Sequence, residues 1–565
     1  MMMRRYFLLI SFTVVMLAAM GQPVHFVAGD LAVTIDKEGY YSSLKVCGHE
    51  LLQSKQLYPV VSTYDYQVRT PQSVRLQGDT LICLMSDDRQ VLLRIVQSPL
   101  CLTMEVIACP EEYHSLTFGP VAVAIDEVVG EVVGIAQGGA VAFGMQVLNI
   151  KTTGGIPQEA ANDYCDKFFY QGHHVDGRPG YSLAATRIEG GTVFQFSGRN
   201  RGKRRGQLEV RQVGNCHAAI ADPVDGIEGQ IVGCKVALFG TSRAKVLSHI
   251  GLMETALGLP HPTTADGTWV KAPSPRTTQK KSAPKKPVTF VVKNVVGWDD
   301  PLVLSPLSSH LHKQLMFQLE EELDAADTSI SILTGAYNCL PIPMEGRQVV
   351  KIEQELISYR SAQDSDGHVL LNGCRRGAFG SKAVSHRKYV MGSRLWTVKE
   401  GFVPDMELLD TLADRALRQL HVSSVRTIPM EILFEQLEYC ALTGQDEYAV
   451  ARFVSRFSQG WSMPDVIRAD YVTNYTWHWL SGVTERGGNF FPDVSDTTWR
   501  FVKVVPEHDH TQGHSHGHSH GEKAEAEHVH AHEHESEDHA IPHQQPQVVK
   551  EETSFADFLK RNLLG

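Results

Sequence analysis

From about Leu31 to Phe239 strand-like runs follow one another, several with apolar side chains at every second position, and no long helical pattern interrupts them. Leu31, Val33 and Ile35 alternate with Ala32, Thr34 and Asp36, and Leu208 and Val210 alternate with Glu209 and Arg211. A period of two places successive side chains on opposite faces of an extended chain, so such a stretch must fold as sheets. Turn signals at Asp36-Lys37-Glu38-Gly39, Asp87-Asp88 and Glu189-Gly190-Gly191 cut it into strands. The expectation is a large β-sandwich over residues 30–259, ending in one helix from Ser242 to Leu257. Ser242 would cap that helix, Val246, Ile250, Met253 and Leu257 would form its buried stripe, and Gly258 would stop it. The basic run Arg199–Arg205 reads as a hairpin tip.

The net charge of −11 over 565 residues gives no electrostatic case for a nucleic-acid partner. Arg4 and Arg5 precede an apolar run from Tyr6 to Met20, and Ala19-Met20-Gly21 offers small residues at cleavage spacing. Residues 1–29 therefore read as a signal peptide, the mature chain starting near Gln22 in a secreted or periplasmic setting. An uncleaved anchor is the alternative. The run is short for a membrane span and no other long apolar stretch follows, so no span is expected after cleavage. Ten cysteines are scattered without a CxxC pair, which points away from a zinc cluster or a thioredoxin-type site. Cys83, Cys101 and Cys234 read as small buried hydrophobes, and a pair or two could be bridged in an oxidising compartment.

Residues 260–287, rich in Pro, Thr, Ser and Lys, read as a linker and a domain boundary. Beyond it, over residues 288–500, the pattern turns to α/β. Val288–Val296 reads as an apolar strand, and Leu311, Leu315, Leu319 and Leu323 predict a helix. A second helix starts at Asp405 and uses Leu408, Leu412, Ala416 and Leu420; a third follows Asp446 with Ala449, Phe453 and Phe457 inward. Val349 to His386 reads as a β-insert, within residues 329–395, whose strand VVKIEQELISY returns through HVLLNGCRRGAFG after a polar turn at Asp364–Gly367. The stretch Arg426–Tyr448 carries two incompatible readings. Leu433, Leu437 and Cys440, with Thr427 as cap and Pro429 in the first turn, suit an amphipathic helix. Phe434-Glu435-Gln436-Leu437-Glu438 equally suits a strand end bearing two carboxylates.

Several segments are similar to a known group. LTFGPVAVAIDEVVGEVVGI (Leu116–Ile135), VLNIKTTGG (Val147–Gly155) and TVFQFSGRNRGKRRGQLEV (Thr192–Val210) resemble the N-terminal β-domain of large secreted bacterial proteins of the glycoside-hydrolase type. IEQELISYR, LLNGCRRGAFGSKAVSH and FVPDMELLDTLADRAL carry the likeness onward at Ile352–Arg360, Leu370–His386 and Phe402–Leu417. The resemblance implies a multidomain β plus α/β chain, its sandwich followed by an α-galactosidase-type (β/α) barrel. It also implies hydrolysis of poly- or oligosaccharide by a pair of carboxylates, with no cofactor. A full barrel takes about 250 residues, whereas Val288 to Trp499 is 212 with a β-insert inside it. The barrel is therefore expected to be incomplete or divergent.

In such relatives the segment matching Phe434–Cys440 runs Phe-Asp-Gly-Leu-Glu-x-Cys. Glu438 keeps a carboxylate, Glu435 stands where they have Asp, and Gln436 replaces a glycine that could take a positive φ freely. Glu438 and Glu435 are the leading catalytic candidates, with Asp470 and Asp299, and then Asp300 and Asp465, in reserve. Residues at i and i+3 of one strand face opposite ways, so Glu435 and Glu438 can share a site only if the strand ends between them. Trp477 and Trp479, flanking His478, are candidates for stacking on sugar rings, though a Trp cluster equally suits a core. Arg375 and Arg376 are candidates for substrate contact.

Residues 507–543 hold twelve histidines interleaved with nine acids, His508, His510, His514, His516, His518, His520, His528, His530, His532 and His534 being the densest. Imidazoles at this spacing take up Zn, Ni or Cu, and the tail is read as disordered; a merely solubilising role is the alternative. Residues 552–565 read as a short amphipathic helix. Three functions stay open: an exported glycoside hydrolase, a non-catalytic glycan-binding or surface protein of the same descent, and a secreted metal-binding protein acting through its tail.

Overall fold

The computed structural model describes residues 22–483 except 54–55, 64–66, 131, 155–183, 189, 202–208, 214–215, 221–225, 265, 273–287, 334–346, 366–367, 424–429, 441–444 and 462–465. Residues 1–21, the histidine tail, residues 552–565 and most of the basic run lie outside the described residues. Val24–Ala28, within the stretch read as signal peptide, is instead a strand paired with Leu31–Ile35, so the folded domain starts earlier than residue 30.

The N-terminal half is built from antiparallel strands in sheets of five, eight and six, with a separate two-stranded hairpin at Glu209–Ile220. Where a strand covers the core with one face only, the alternation of the sequence reappears as alternating burial, as in Leu31–Ile35 and Thr80–Met85. Three strands, Tyr113–Val123, Val141–Val147 and Gly191–Arg199, are buried on both faces and run through the middle of the core around Phe118, Phe143, Phe194 and Phe196. The closing helix is Val246–Leu257, and Gly258 stops it at φ 68. A 3-10 turn, Arg243–Lys245, precedes it, and the Ser242 side chain makes no capping bond. Val246, Ile250 and Met253 are buried as expected, while the fourth buried position is Glu254 rather than Leu257.

In the second half, strands Val288–Lys293, Met430–Glu435, Val466–Ala469 and Gly482–Val483 form a four-stranded parallel sheet in that order. Helices Met406–Ser423 and Asp446–Gln459 cover one face of it, with Phe434 edge-on to Phe453 and Phe457. Asp405 caps the first helix, its Oδ1 accepting from the N–H groups of Glu407 (3.0 Å) and Leu408 (3.1 Å). Arg452 and Arg456 tie the two helices through bidentate pairs to Asp410 and Asp414.

Three expectations are corrected. The leucines from 311 to 323 do not make a helix: Lys313–Leu319 is a strand, paired with Met391–Leu395. A four-residue spacing is also a multiple of two, so it fits one face of a strand, and Phe317 and Leu319 are the buried pair here. VVKIEQELISY is not one strand but a hairpin, Val349–Ile352 against Glu355–Ser358, turning where Glu353 takes φ 51. The strand that pairs with His368–Asn372 is instead Ser361–Ser365. These strands belong to a seven-stranded antiparallel sheet with its own core around Phe317, Ile332, Ile352 and Leu371. The helical reading of Arg426–Tyr448 also fails. Met430–Glu435 is a strand because Ile432 and Phe434 sit in the core between neighbouring strands; a short helix follows at Glu438–Cys440, and the next helix opens at Asp446.

The insert is held by one buried carboxylate. Glu355 accepts from Arg376 Nε and Nη2 at 2.8 Å each, from His386 Nε2 at 2.8 Å and from the Gly377 N–H at 2.9 Å. Burial alone would raise its pKa, but these donors outweigh it and hold the carboxyl at about 2. Glu355→Ala strands Arg376 in the interior, and urea unfolding at pH 7 should show a loss of about 3–5 kcal/mol. Because the folded-state value lies below the ordinary 4.5, the stabilisation is present above that value and is lost as pH falls toward 2. Parent and variant curves should therefore converge on acidification.

Candidate active site

The carboxyl ends of the parallel strands bring together residues far apart in sequence. In this sheet Lys293 lies opposite Glu435 and Ala469 opposite Phe434, so Asp470 emerges one step beyond the strand end, beside Glu435. Its own N–H donates to the Phe434 carbonyl (3.1 Å). Ligand chemistry in open parallel sheets gathers at this edge, because the loops that follow the strands converge there.

Strand Met430–Glu435 ends in a sharp turn. Gln436 takes φ 68, a left-handed backbone that costs a residue with a Cβ roughly 1–2 kcal/mol. The turn thus keeps a conformation that suits glycine although the residue is Gln. It aims two successive N–H groups at Asp470: Gln436 donates to Oδ2 at 2.6 Å and Leu437 to Oδ1 at 3.5 Å. From the other side Asn294, fully buried, donates through Nδ2 to the Leu437 carbonyl (3.3 Å) and to Cys440 Sγ (3.2 Å). The turn is clamped between the ends of the two flanking strands.

Asp470 is 7% exposed. Burial pushes its carboxyl upward, the two backbone N–H groups pull it back, and the negative charge of Glu435 adds to the rise, leaving it at about 6. Glu435 is about one-third exposed and lies 3.5 Å from Lys293 Nζ. Below them, on the same open face of the sheet, Glu431 accepts from Thr289 Oγ1 (3.1 Å) and pairs with Arg468 Nε (2.9 Å). Val291 and Leu433 lie side by side between these two polar rows. The arrangement supplies a buried acid titrating near neutrality and a second, solvent-reached carboxylate on the adjacent strand. That is the division of environments by which paired carboxyls take different roles.

Of the residues singled out from the sequence, the fold brings Glu435 and Asp470 together. Glu438 opens the short helix Glu438–Cys440, so the strand does end between it and Glu435; its side chain lies outside the described residues. Asp299 is exposed beside Trp298, while Asp300 caps the turn Pro301–Leu304 and pairs with Arg415 at 2.7 Å. Asp465 is not among the described residues. Trp477 is buried at 3% exposure, and Trp479, partly buried, donates from Nε1 to Ser455 Oγ (3.3 Å). The Arg376 guanidinium is consumed by Glu355, and Arg375 is exposed on the same insert. The ten named tail histidines are not described. Among the described residues no group of three or more His, Cys, Asp or Glu side chains is placed to hold a metal ion. Cys83, Cys101 and Cys234 are buried thiols outside any disulfide. Lys293 and Asn294 went unrecognised in the sequence. The one available signal was a Lys-Asn pair closing the apolar strand VTFVV.

No sequence-family profile matches the chain, and no curated protein matches it either. Solved structures do align with it at low similarity. An alpha-N-acetylgalactosaminidase, NagBb, from Bifidobacterium bifidum is 8% identical, with 81% of this chain and 78% of that one covered at a TM-score of 0.33. A GH31 family sulfoquinovosidase from E. rectale is 8% identical, with 80% and 68% covered at 0.32. A GH36 alpha-galactosidase, AgaA, from Geobacillus stearothermophilus is 7% identical, with 82% and 74% covered at 0.28. Alignments this loose fix neither the detailed fold nor a reaction, and the chemistry rests on the side chains of this chain.

Proposed function

We propose that the chain is an exported carbohydrate-active protein, a glycoside hydrolase in which a β-sandwich precedes a shortened (β/α) barrel. The observation that carries this reading is Asp470, a buried carboxyl held at about 6 on the strand next to Glu435. Glycosidic cleavage needs one protonated carboxyl and one carboxylate flanking the bond. In this reading Asp470 delivers its proton to the departing glycosidic oxygen, and Glu435 attacks the anomeric carbon or takes a proton from the water that does. No cofactor is required. The seven-stranded insert enters between the first parallel strand and its helix, on the side where barrel loops shape the substrate site. Export rests on the Arg4-Arg5 and Tyr6–Met20 pattern alone.

A second reading, a glycan-binding protein that no longer turns over, is favoured by one observation. Both oxygens of Asp470 are already taken by backbone N–H groups, which is what a purely structural turn clamp would show. The tail is proposed separately as a reservoir for Zn, Ni or Cu.

Turnover of oligosaccharides by the mature chain should fall as pH rises through about 6, because the acid must carry its proton. Asp470→Asn and Glu435→Gln should each lower kcat by at least about a hundredfold. A chain that binds glycans while neither it nor the variants release sugar would establish the second reading instead. Stability gives a check without any substrate. Asp470 has a folded-state pKa above its ordinary 3.8, so its contribution is greatest below that value and is lost as pH rises through 6. Asp470→Asn should therefore gain on the parent between pH 4 and pH 7.5, by up to about 3 kcal/mol in denaturant titrations.

For the tail, calorimetry with Zn²⁺ should show several ions of graded affinity, lost below about pH 6.5 where free imidazoles protonate. Deletion of residues 507–543 should remove most of that uptake and leave sugar release unaltered.

A further inference from the structure

Away from the strand ends, Glu254 on helix Val246–Leu257 is wholly buried, yet hydrophobic neighbours do not surround its carboxylate. Oε2 accepts from His261 Nδ1 at 2.8 Å, Oε1 accepts from His478 Nδ1 at 2.7 Å, and Lys271 Nζ lies 3.6 Å from Oε1. Lys271, itself 1% exposed, also donates to the His478 carbonyl at 2.6 Å and sits over the Trp477 ring at 4.8 Å. His261 stacks on Trp269 at 5.1 Å. A buried anion, a buried cation and two imidazoles, three of them from residues 254–271 and the fourth from the distant His478, thus make one cluster, and the catalytic proposal uses none of them.

What the cluster grips is the chain that follows Asp470. Tyr471 and Val472 pass through the core. Thr473 and Thr476 then lock a tight turn, Thr473 N–H donating to Thr476 Oγ1 (2.8 Å) and Thr476 N–H to Thr473 Oγ1 (3.1 Å). Asn474 Nδ2 donates to the Val132 carbonyl of the N-terminal half (2.7 Å), and Thr476–His478 forms the 3-10 turn that ends at Glu254. The segment is pinned at one end by Asp470 to strand Met430–Glu435 and at the other by Asn474 and His478 to the antiparallel half. We infer that Glu254 is a positioning residue for Asp470, holding residues 471–480 through His478 and Lys271 so that the N-terminal half fixes where the acid stands. The catalytic role of Asp470 is the reading proposed above; the grip on its segment is independent of it.

Two variants of the full chain test this. Glu254→Gln keeps the shape but leaves Lys271 without its counter-charge. Glu254→Gln combined with Lys271→Met removes both charges, and so guards against simple failure to fold. In each, deuterium uptake of the peptide spanning Asp470–Leu480 should speed up at least tenfold relative to strand Thr80–Met85. The pH midpoint at which Asp470→Asn gains stability on its own background should fall from about 6 toward the ordinary carboxylate value, as water reaches a loosened Asp470. If sugar release is measurable, kcat should drop more than KM rises. Unchanged uptake and an unchanged midpoint in the double variant would overturn the inference, even with Asp470 essential for turnover. If the segment loosens and the midpoint moves while Asp470→Asn keeps full activity, positioning stands and the hydrolase assignment falls.

Discussion

A carboxylate taken out of water must be met by donors, because an uncompensated buried charge costs several kcal/mol. Glu254 imposes that requirement on the whole molecule. Its donors are His261 and Lys271, from the stretch leading to the second half, and His478, just past the third strand of the parallel sheet. Once they are in place, Trp269 and Trp477 have cations and rings to pack on, and the sheet is seated on the antiparallel half. Lesser contacts extend the seam: Tyr448 donates to Glu228 Oε2 at 2.8 Å, and the buried Arg201 guanidinium lies over the Tyr448 ring at 5.0 Å. Residues 260–272 accordingly include a buried lysine and a stacked imidazole, which a Pro- and Thr-rich composition does not announce.

The parallel sheet shows why the strand ends are chemically distinctive. Its covered face, Ile432, Phe434, Ile467 and Ala469, meets helices and is wholly apolar. Its other face carries Glu431 with Arg468 and Thr289, and Glu435 with Lys293. Charges are tolerated there because each has an opposite partner across the ladder and keeps contact with water. Asp470 lies one residue past this face and goes inward. Its environment differs from that of Glu435 because the turn at Gln436 covers it and directs two N–H groups at its oxygens.

Local physics governed what could be read from the sequence. Period-two alternation was legible wherever a strand has one wet face, and the helices after Asp405 and Asp446 were legible because Leu408, Leu412, Phe453 and Phe457 repeat at helical spacing. The leucines from 311 to 323 misled because their spacing satisfies both periods. Glu435 and Asp470 were both visible as acids, but nothing in the chain between them announces that they lie on adjacent strands. Parallel pairing is set by tertiary packing, with no hairpin to fix its register. Asp470 consequently ranked behind Glu438, whose claim came from resemblance. The burial of Trp477 and the capture of Arg376 by Glu355 were beyond reach for the same reason, since their partners come from elsewhere in the fold.

The seven-stranded insert leaves the parallel sheet and returns to it at almost the same point. His312 N–H donates to the Val403 carbonyl (2.8 Å), Trp396 N–H to the His312 carbonyl (2.9 Å), and Leu311 bridges Pro404. Between those neighbouring ends it closes its own core and its own buried ion cluster. To the parallel sheet it is therefore an ordinary strand-to-helix connection that happens to carry a second body. The body is also packed on its host, because Val349, Leu356 and Leu395 of its sheet share a buried cluster with Val292, Ile432 and Phe434 of the parallel sheet, so a change in that cluster is felt by both.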